Sequence, residues 1–109
     1  MRNVRQTRVP FQLKMSLAEH LCKPSVLIVD CRSNDECAVG DGYKGAVNIP
    51  VTEISDRAAE CVADKARPIV CYCKGGMRAM KAADILKEHG YTNVIAGGNA
   101  TKLREAKND

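Results

Sequence analysis

The chain has 109 residues, of which 45% are hydrophobic, and its formal net charge is +4. This length suits one compact domain with a buried core and is too short for two, so residues 1–109 are predicted to form a single domain. No apolar run reaches the length of a membrane span, and basic residues do not alternate with aromatic ones, so neither a membrane nor a nucleic acid is an expected partner. The small basic excess suits small anionic substrates instead.

Basic residues dominate the start of the chain, where residues 1–14 carry no acidic side chain. A mitochondrial presequence shares this charge pattern, but Pro10 interrupts any helix that these residues could form. We therefore expect a poorly ordered basic tail or an edge strand at residues 8–13. The segment lacks the continuous apolar stretch of a secretory signal.

Six cysteines are spread along the chain, and their positions argue against a disulfide framework. Cys22 and Cys61 end helical patterns. Cys31 and Cys71 lie in or beside apolar runs, where a free thiol behaves as a small hydrophobe. Dispersed cysteines of this kind fit a reducing compartment, and we expect a cytoplasmic location. No spacing of Cys and His indicates a metal site, and no cofactor is expected.

The first half of the chain alternates predicted helices and strands. Ser16 and Glu19 form a capping-box pattern that starts a short helix ending near Cys22. The apolar run at residues 26–29 has the length and continuity of a strand that is buried on both faces. A second capping box at residues 33–36 starts another short helix.

The second half continues this alternation. Residues 45–50 form a short strand that Pro50 ends. Thr52 is predicted to cap the next helix, in which Ile54 and Cys61 share one apolar stripe. The remaining predicted elements are a strand at residues 68–72, a helix at 79–89 that Gly90 ends, a strand at 93–95, and a helix from Asn99 to about residue 106.

Together, these elements indicate an α/β fold with a central parallel sheet and helices on both faces. Met77, Met80 and Ala83 have helical spacing, which predicts that their side chains face the core. Active sites of such sheets lie at the carboxyl ends of the strands. Cys73 directly follows the predicted strand at residues 68–72, so it is placed at that edge.

One six-residue loop, residues 73–78, carries the strongest chemical signal. Cys73 stands where a predicted strand turns into a predicted helix, and Gly75 and Gly76 allow the backbone to bend tightly around its sulfur. Backbone N–H groups of the loop and of the first helical turn then point at the sulfur and at an anion bound there. This environment favours the thiolate, which is the nucleophilic form of cysteine.

The other residues of this loop are the candidate substrate-binding groups. Lys74 and Arg78 are predicted to contact an anionic substrate through their positive charges. The backbone at Gly75, Gly76 and Met77 completes the anion site. An ordinary solvated position is the alternative for each cation. At the start of a helix, however, Arg78 opposes the helix dipole, and an anion bound nearby offsets this cost.

Four further residues are assigned supporting roles. Asp30 and Arg32 follow a predicted strand, and an ion pair that fixes the loop after it is favoured over a catalytic role. Glu36 either joins the same pairing or only closes its capping box. Cys71 shares a strand face with Cys73, which is compatible with a resolving cysteine, but core packing is favoured.

Four segments of the chain carry motifs in a fixed order: Ile28-Val29-Asp30-Cys31-Arg32, Gly45-Ala46-Val47-Asn48-Ile49-Pro50, the Cys-x-x-Gly-x-Arg loop from Cys73 to Arg78, and Gly90-Tyr91-Thr92-Asn93-Val94 with Gly97-Gly98. Together they resemble the rhodanese (sulfurtransferase) domain family. The resemblance covers about residues 12–106 and implies a rhodanese-like α/β fold, with a central parallel sheet and helices on both faces. The resemblance extends to small single-domain bacterial forms, including the phage-shock type.

Two positions depart from the family pattern. Gly42 stands where the family often has His, and Ala79 stands where a Ser often follows the loop arginine. Neither change removes the nucleophile. The loss of the hydroxyl at residue 79 is expected to weaken anion binding modestly.

The resemblance implies a thiosulfate sulfurtransferase. In such an enzyme the Cys73 thiolate takes the outer sulfur of thiosulfate or of a persulfide donor, and a thiol or cyanide then removes that sulfur. The implied partners are a small sulfur-containing anion, a thiol or cyanide acceptor, and a sulfur-accepting protein. The chain is expected to act as a monomer.

Two other functional classes share this architecture. Rhodanese-like phosphatases and arsenate reductases have one more residue between the cysteine and the arginine. Four residues separate Cys73 from Arg78 here, which favours sulfur over phosphate or arsenate. Non-catalytic interaction modules of this fold commonly lack the cysteine, and Cys73 is present.

Overall fold

The computed structural model describes residues 16–61 and 63–108, which fold around a four-stranded parallel sheet with the strand order β2-β1-β3-β4. This arrangement confirms the predicted α/β fold. The predicted edge strand and basic tail lie outside the described residues. The strands are β1 (Leu27–Asp30), β2 (Val47–Asn48), β3 (Ile69–Tyr72) and β4 (Val94–Ala96). The helices are α1 (Leu17–Cys22), α2 (Asn34–Cys37), α3 (Ile54–Cys61), α4 (Met77–Glu88) and α5 (Ala100–Asn108), and a 3-10 turn (Val51–Glu53) precedes α3.

Strands β1 and β3 form the centre of the sheet. β3 pairs with β1 on one side, where Cys71 lies opposite Val29, and with β4 on the other, where Cys71 lies opposite Ala96. All four residues of β3 are buried. A parallel strand that is covered on both faces needs apolar side chains on both, and this explains the unbroken apolar run in the sequence.

Alternate residues of the strands face two different layers of helices. On one face Cys71 belongs to a core cluster that includes Ile54 of α3 and the buried side of α4. On the other face Val70 packs with Leu21 of α1 and Leu103 of α5. The prediction of helices on both faces is therefore confirmed.

Helix α4 begins two residues earlier than predicted and buries a different face. Met77 and Met80 are 82% and 61% exposed, so the prediction that these two side chains face the core is wrong, whereas Ala83 is buried. Short alanine side chains allow the helix to lie close to the sheet, and the two methionines fall outside the buried stripe. The buried residues of α4 are Ala79, Ala82, Ala83 and Leu86.

Helix caps are the local feature that the sequence predicts best. The capping boxes that begin with Ser16 and Ser33 are both formed, with the backbone and side-chain bonds in both directions. Asn99 caps α5, because its side chain accepts the backbone N–H of Lys102 at 2.9 Å. Gly90 follows α4 with a φ of 96°, as expected of a C-terminal glycine.

The predicted cap at Thr52 is wrong. Thr52 lies inside the 3-10 turn, which Pro50 precedes and which no side chain caps. The turn inserts between the proline and α3, so that α3 begins only at Ile54. Within residues 16–61 and 63–108, none of the helices has both the length and the apolar character needed to cross a membrane.

Candidate active site

Cys73 directly follows β3 at the carboxyl end of the sheet and is only 2% exposed. Its backbone N–H donates to the carbonyl of Gly98 at 3.0 Å. This bond joins the start of the loop to the turn that precedes α5. The sequence placed Cys73 at this edge, and the structure adds the close approach of α5.

The loop after Cys73 bends so that its own backbone binds the sulfur. The N–H of Gly76 donates to Cys73 Sγ over 2.9 Å. Gly76 has a φ of 102°, which L side chains rarely adopt. A Cβ there would meet only Gly98 Cα at 3.7 Å, so the backbone and not the available space requires glycine. Because Gly76 is also the residue before α4, the positive end of this helix lies beside the sulfur.

Arg78 lies in the first turn of α4, where its guanidinium binds Glu36 of α2. Nη1 and Nη2 donate to the two carboxylate oxygens at 2.6 and 3.0 Å. These bonds, followed by the N–H of Ser33, lower the pKa of Glu36 to about 2. Glu36 therefore closes its capping box and pairs with Arg78, not with Arg32. The pKa of Arg78 is raised chiefly by its bonds to Glu36 and to a smaller extent by Cys73.

Asp30 and Arg32 form an ion pair that is 3% and 7% exposed. Arg32 Nη2 lies 2.8 Å from Asp30 Oδ2, and both Nε and the backbone N–H of Arg32 donate to Oδ1 at 3.0 Å. Burial opposes the ionisation of Asp30, but the bonds from Arg32 outweigh it and hold the pKa of this carboxyl below its ordinary value. Arg32 Nη1 extends the network to Asp41 at 2.9 Å.

Tyr72 completes this network and accounts for the departure at Gly42. The Tyr72 hydroxyl donates to Asp30 Oδ2 at 2.9 Å and accepts the N–H of Tyr43 at 2.8 Å. Burial raises the pKa of Tyr72 to about 12. A Cβ at Gly42 would lie 3.0 Å from the Tyr72 hydroxyl and 3.2 Å from Arg32 Nη2. The hydroxyl and the guanidinium thus occupy the space that a histidine side chain at this position would need.

An open cavity of about 330 Å³ lies between the Cys73 loop and α5. Cys73 and Lys74 line it on one side, and Thr101 and Arg104 line it on the other. Among the described residues, Arg78 is not part of this lining. The cavity therefore brings Cys73 together with cations outside the motif loop. The remaining lining residues are Arg32, Asp41, Tyr72, Asn99 and Ala100.

Sequence reasoning missed Tyr72, Thr101 and Arg104 as site residues. The predicted cap at Asn99 was the available signal, because it places the start of a helix at the same edge of the sheet as Cys73. Thr101 and Arg104 are three residues apart and so share one side of α5. The hydrogen bond between Cys73 and Gly98 joins the loop to the turn before α5, and this brings that side of α5 to the site.

Cys71 is fully buried in the core cluster beneath α4, next to Cys31. A hydrogen bond with Cys71, followed by burial, raises the pKa of the Cys31 thiol. This position fits the core-packing role predicted for Cys71. The cysteines at positions 22, 31, 37, 71 and 73 are free. Within the described residues, no group of three or more His, Cys, Asp or Glu side chains is placed to hold a metal ion.

The chain is similar to known proteins over most of its length. Residues 14–98 match the model of the rhodanese-like domain family. The chain is 42% identical over 64 residues to "Thiosulfate sulfurtransferase PspE" of Escherichia coli (strain K12), a match covering 59% of this chain and 62% of that protein. It is 35% identical over 95 residues to "tRNA uridine(34) hydroxylase" of Hamiltonella defensa, which covers 82% of this chain and 26% of that protein. The chain thus spans less than two thirds of the length of these two relatives.

Solved structures show the same fold. The structure described as "rhodanese with anions from E. coli" is 34% identical, has a TM-score of 0.66, and is matched over 71% of this chain and 89% of that one. "Human Single Domain Sulfurtranferase TSTD1" is 26% identical with a TM-score of 0.65, over 78% of this chain and 86% of that one. Both matches cover more than four fifths of the solved chain.

Proposed function

The chain belongs to the rhodanese-like domain family, and from this premise we propose that it is a sulfurtransferase that acts through a persulfide on Cys73. It moves sulfane sulfur from thiosulfate or a persulfide donor to a thiol or cyanide. The observation that carries the proposal is the hydrogen bond from the Gly76 N–H to Cys73 Sγ, beside an open cavity. The similarity to a protein named thiosulfate sulfurtransferase supports thiosulfate as the donor.

The proposed reaction has two displacement steps on sulfur. The Cys73 thiolate attacks the outer sulfur of thiosulfate, the S–S bond breaks, and sulfite leaves with the electron pair. An acceptor thiolate or cyanide then attacks the outer sulfur of the persulfide, and the Cys73 thiolate leaves. The N–H of Gly76 binds the negatively charged sulfur before and after transfer, as the donors of an oxyanion hole bind oxygen.

In this proposal, the other residues of the loop bind the donor or hold the loop in shape. Lys74 lines the cavity and binds the anionic part of the donor. Arg78 adds positive charge near the sulfur while Glu36 holds its side chain in place. The backbone at Gly75 and Met77 completes the turn around Cys73 and the start of α4.

The surroundings of the loop fix its position in the proposal. The Asp30–Arg32 pair holds the segment after β1 beside β3, through the bond between Tyr72 and Asp30. The spacing of four residues between Cys73 and Arg78 supports sulfur rather than phosphate or arsenate as the transferred group. A cytoplasmic location and a monomeric state stay predictions, as does a sulfur-accepting protein partner.

The test is to incubate the protein with thiosulfate and to measure its intact mass together with the sulfite released. The wild-type protein should gain one sulfur atom, about 32 Da, and release one sulfite for each sulfur gained. Cys73→Ser should gain none. Addition of cyanide to the loaded protein should restore the original mass.

Two other cysteines provide matched controls. Cys22 is exposed and Cys37 is half-buried, so both are more accessible than Cys73. Cys22→Ser and Cys37→Ser should load as the wild-type protein does. Thiosulfate turnover that survives in Cys73→Ser would show that the proposed function, as assigned to this residue, is wrong.

A further inference from the structure

The cationic side chains that line the cavity differ in whether a carboxylate neutralises their charge. The cationic lining residues are Arg32, Lys74 and Arg104, and Asp41 is the carboxylate among the described lining residues. Arg32 is bonded to both Asp30 and Asp41, at 2.8 and 2.9 Å. Its charge is therefore matched by carboxylates before any ligand enters.

The other two cations have no carboxylate partner among the described residues. Lys74 forms no hydrogen bond or ion pair through its side chain there. Arg104 Nη2 donates to the backbone carbonyls of Asp41 and Gly42, both at 3.0 Å. A carbonyl orients a guanidinium but does not cancel its charge. The lining of the cavity thus keeps a net positive charge from Lys74 and Arg104.

Arg104 is also held in place before a ligand binds. Its two bonds join α5 to the segment of Asp41 and Gly42, across the cavity from Cys73. They use Nη2 only, which leaves Nη1 and Nε without a partner among the described residues. A cation whose position is already fixed loses less side-chain entropy when it binds an anion. Fixed geometry and unpaired N–H groups together are what an anion-binding residue requires.

We propose that Arg104 determines the specificity of the site for anionic donors, by binding the charged group that is not transferred. The inference rests on the proposed function, in which Cys73 attacks the donor. In thiosulfate this group is the sulfonate end, which leaves as sulfite with the electron pair of the broken S–S bond. Arg104 holds it before the attack, while Lys74 binds it from the loop side. A donor of equal size without the charge gains nothing from Arg104.

The first test uses a pair of alkylating reagents, so that it does not depend on sulfur transfer. Iodoacetate and iodoacetamide both react by forming a C–S bond with the thiolate and releasing iodide, but only iodoacetate carries a negative charge. The rate at Cys73 is measured for each reagent by peptide mass spectrometry, with exposed Cys22 in the same sample as reference. Cys73 of the wild-type protein should favour iodoacetate, relative to the ratio at Cys22.

In Arg104→Gln the iodoacetate rate at Cys73 should fall about tenfold, which is the loss of one charge-assisted hydrogen bond, and the iodoacetamide rate should change less than about twofold. Arg104→Lys keeps the charge and should retain most of the preference. Lys87→Gln is the matched loss of charge on an exposed residue at the far end of α4, about 15 Å along the helix from its start, and should change neither rate.

The second test measures steady-state sulfur transfer from thiosulfate. Arg104→Gln should raise KM for thiosulfate about tenfold with little change in kcat, because the interaction is made with bound donor as well as during the attack. Equal losses for both alkylating reagents would overturn the inference, since they would show an effect on the loop and not on the anion. An unchanged iodoacetate preference in Arg104→Gln would overturn it as well.

The two proposals fail separately. If the wild-type protein transfers no sulfur, but Arg104→Gln still loses the iodoacetate preference, then the anion site stands and the proposed function falls. If sulfur transfer is normal in Arg104→Gln at low thiosulfate, then the proposed function stands and the specificity role of Arg104 falls.

Discussion

Two ion pairs lie in the loops and helices around the site, and they differ in their contact with water. The side chains of Asp30 and Arg32 are 5% and 8% exposed, whereas those of Glu36 and Arg78 are 33% and 37% exposed. The buried pair is bonded further to Tyr72 and Asp41, so each partner has several neighbours. The half-exposed pair bridges α2 and α4, and water can replace either partner.

This difference determines what each pair can contribute. Removing one partner of a buried pair leaves a charge without either water or a counter-ion, which is strongly destabilising. Removing one partner of an exposed pair costs little, because water solvates the other partner. The Asp30–Arg32 pair is therefore expected to hold the fold around the site. The Glu36–Arg78 pair is expected to set the position of one arginine side chain.

The largest expected effect follows from breaking the buried pair. Arg32→Met should lower the free energy of unfolding by about 3–5 kcal/mol, because the Asp30 carboxylate stays buried without its partner. The matched control is Arg57→Met, which breaks an exposed pair with Glu53 and should cost less than about 1 kcal/mol. Chemical denaturation of both variants gives the comparison. Similar losses in the two variants would contradict the distinction drawn between the pairs.

A smaller effect is expected from crowding the same network at Gly42. Gly42→Ala should cost about 1–3 kcal/mol, since its Cβ would lie 3.0 Å from the Tyr72 hydroxyl. Tyr72→Phe should cost about 1–3 kcal/mol, because it removes the partner of Asp30 and of the Tyr43 N–H.

The double variant distinguishes a local clash from two independent losses. Gly42→Ala with Tyr72→Phe should lose about 1 kcal/mol less than the sum of the single losses, because the hydroxyl that the new Cβ meets is gone. Gly75→Ala is the control, since a Cβ at Gly75 has nothing within 4 Å. Additive losses in the double-mutant cycle would show that the Tyr72 hydroxyl does not limit the space at Gly42.

The same contrast between pairs explains what the sequence could predict. Asp30 and Arg32 are two residues apart at the end of an apolar run, so local reasoning finds both the strand and the pair. Glu36 and Arg78 are 42 residues apart, and their contact depends on how α2 and α4 sit beside the sheet. Cys73 could also be predicted from local sequence, because the strand before it, the glycines beside it and the helix after it are neighbours along the chain.

The errors have the same origin. Met77 and Met80 have a helical spacing that fits a buried face, but the sheet selects the side of α4 that carries alanines. Thr52 is a good capping residue, but the 3-10 turn after Pro50 moves the start of α3 past it. Arg104 resembles an ordinary charge on a solvated helix, and only the approach of α5 to Cys73 places it at the cavity. Local patterns do not contain the packing that decides these cases.

The smallest expected effect concerns the half-exposed pair and its dependence on pH. The pKa of Glu36 is about 2 in the folded protein, against an ordinary value of 4.5. Because the folded value is the lower one, the contribution of the Glu36 charge is fully present above pH 4.5 and is lost as the pH falls towards 2. The free energy of unfolding of the wild-type protein should therefore exceed that of Glu36→Gln at neutral pH, and the difference should shrink over this range.

Glu19 offers a matched control, because it closes an equivalent capping box with Ser16 but has no arginine partner. Its pKa is lowered chiefly by the backbone N–H of Ser16, so Glu19→Gln reports the charge of the box alone. Glutamine can still close either box, which leaves the charge as the main change.

The difference in free energy of unfolding between the Glu and Gln forms should depend more strongly on pH at position 36 than at position 19. In an Arg78→Met background, the pH dependence at position 36 should fall to that at position 19. Equal pH dependence at both positions in the wild-type background would mean that Arg78 does not stabilise the Glu36 carboxylate in solution. The contact between Glu36 of α2 and Arg78 of α4 would then not hold the Arg78 side chain in place.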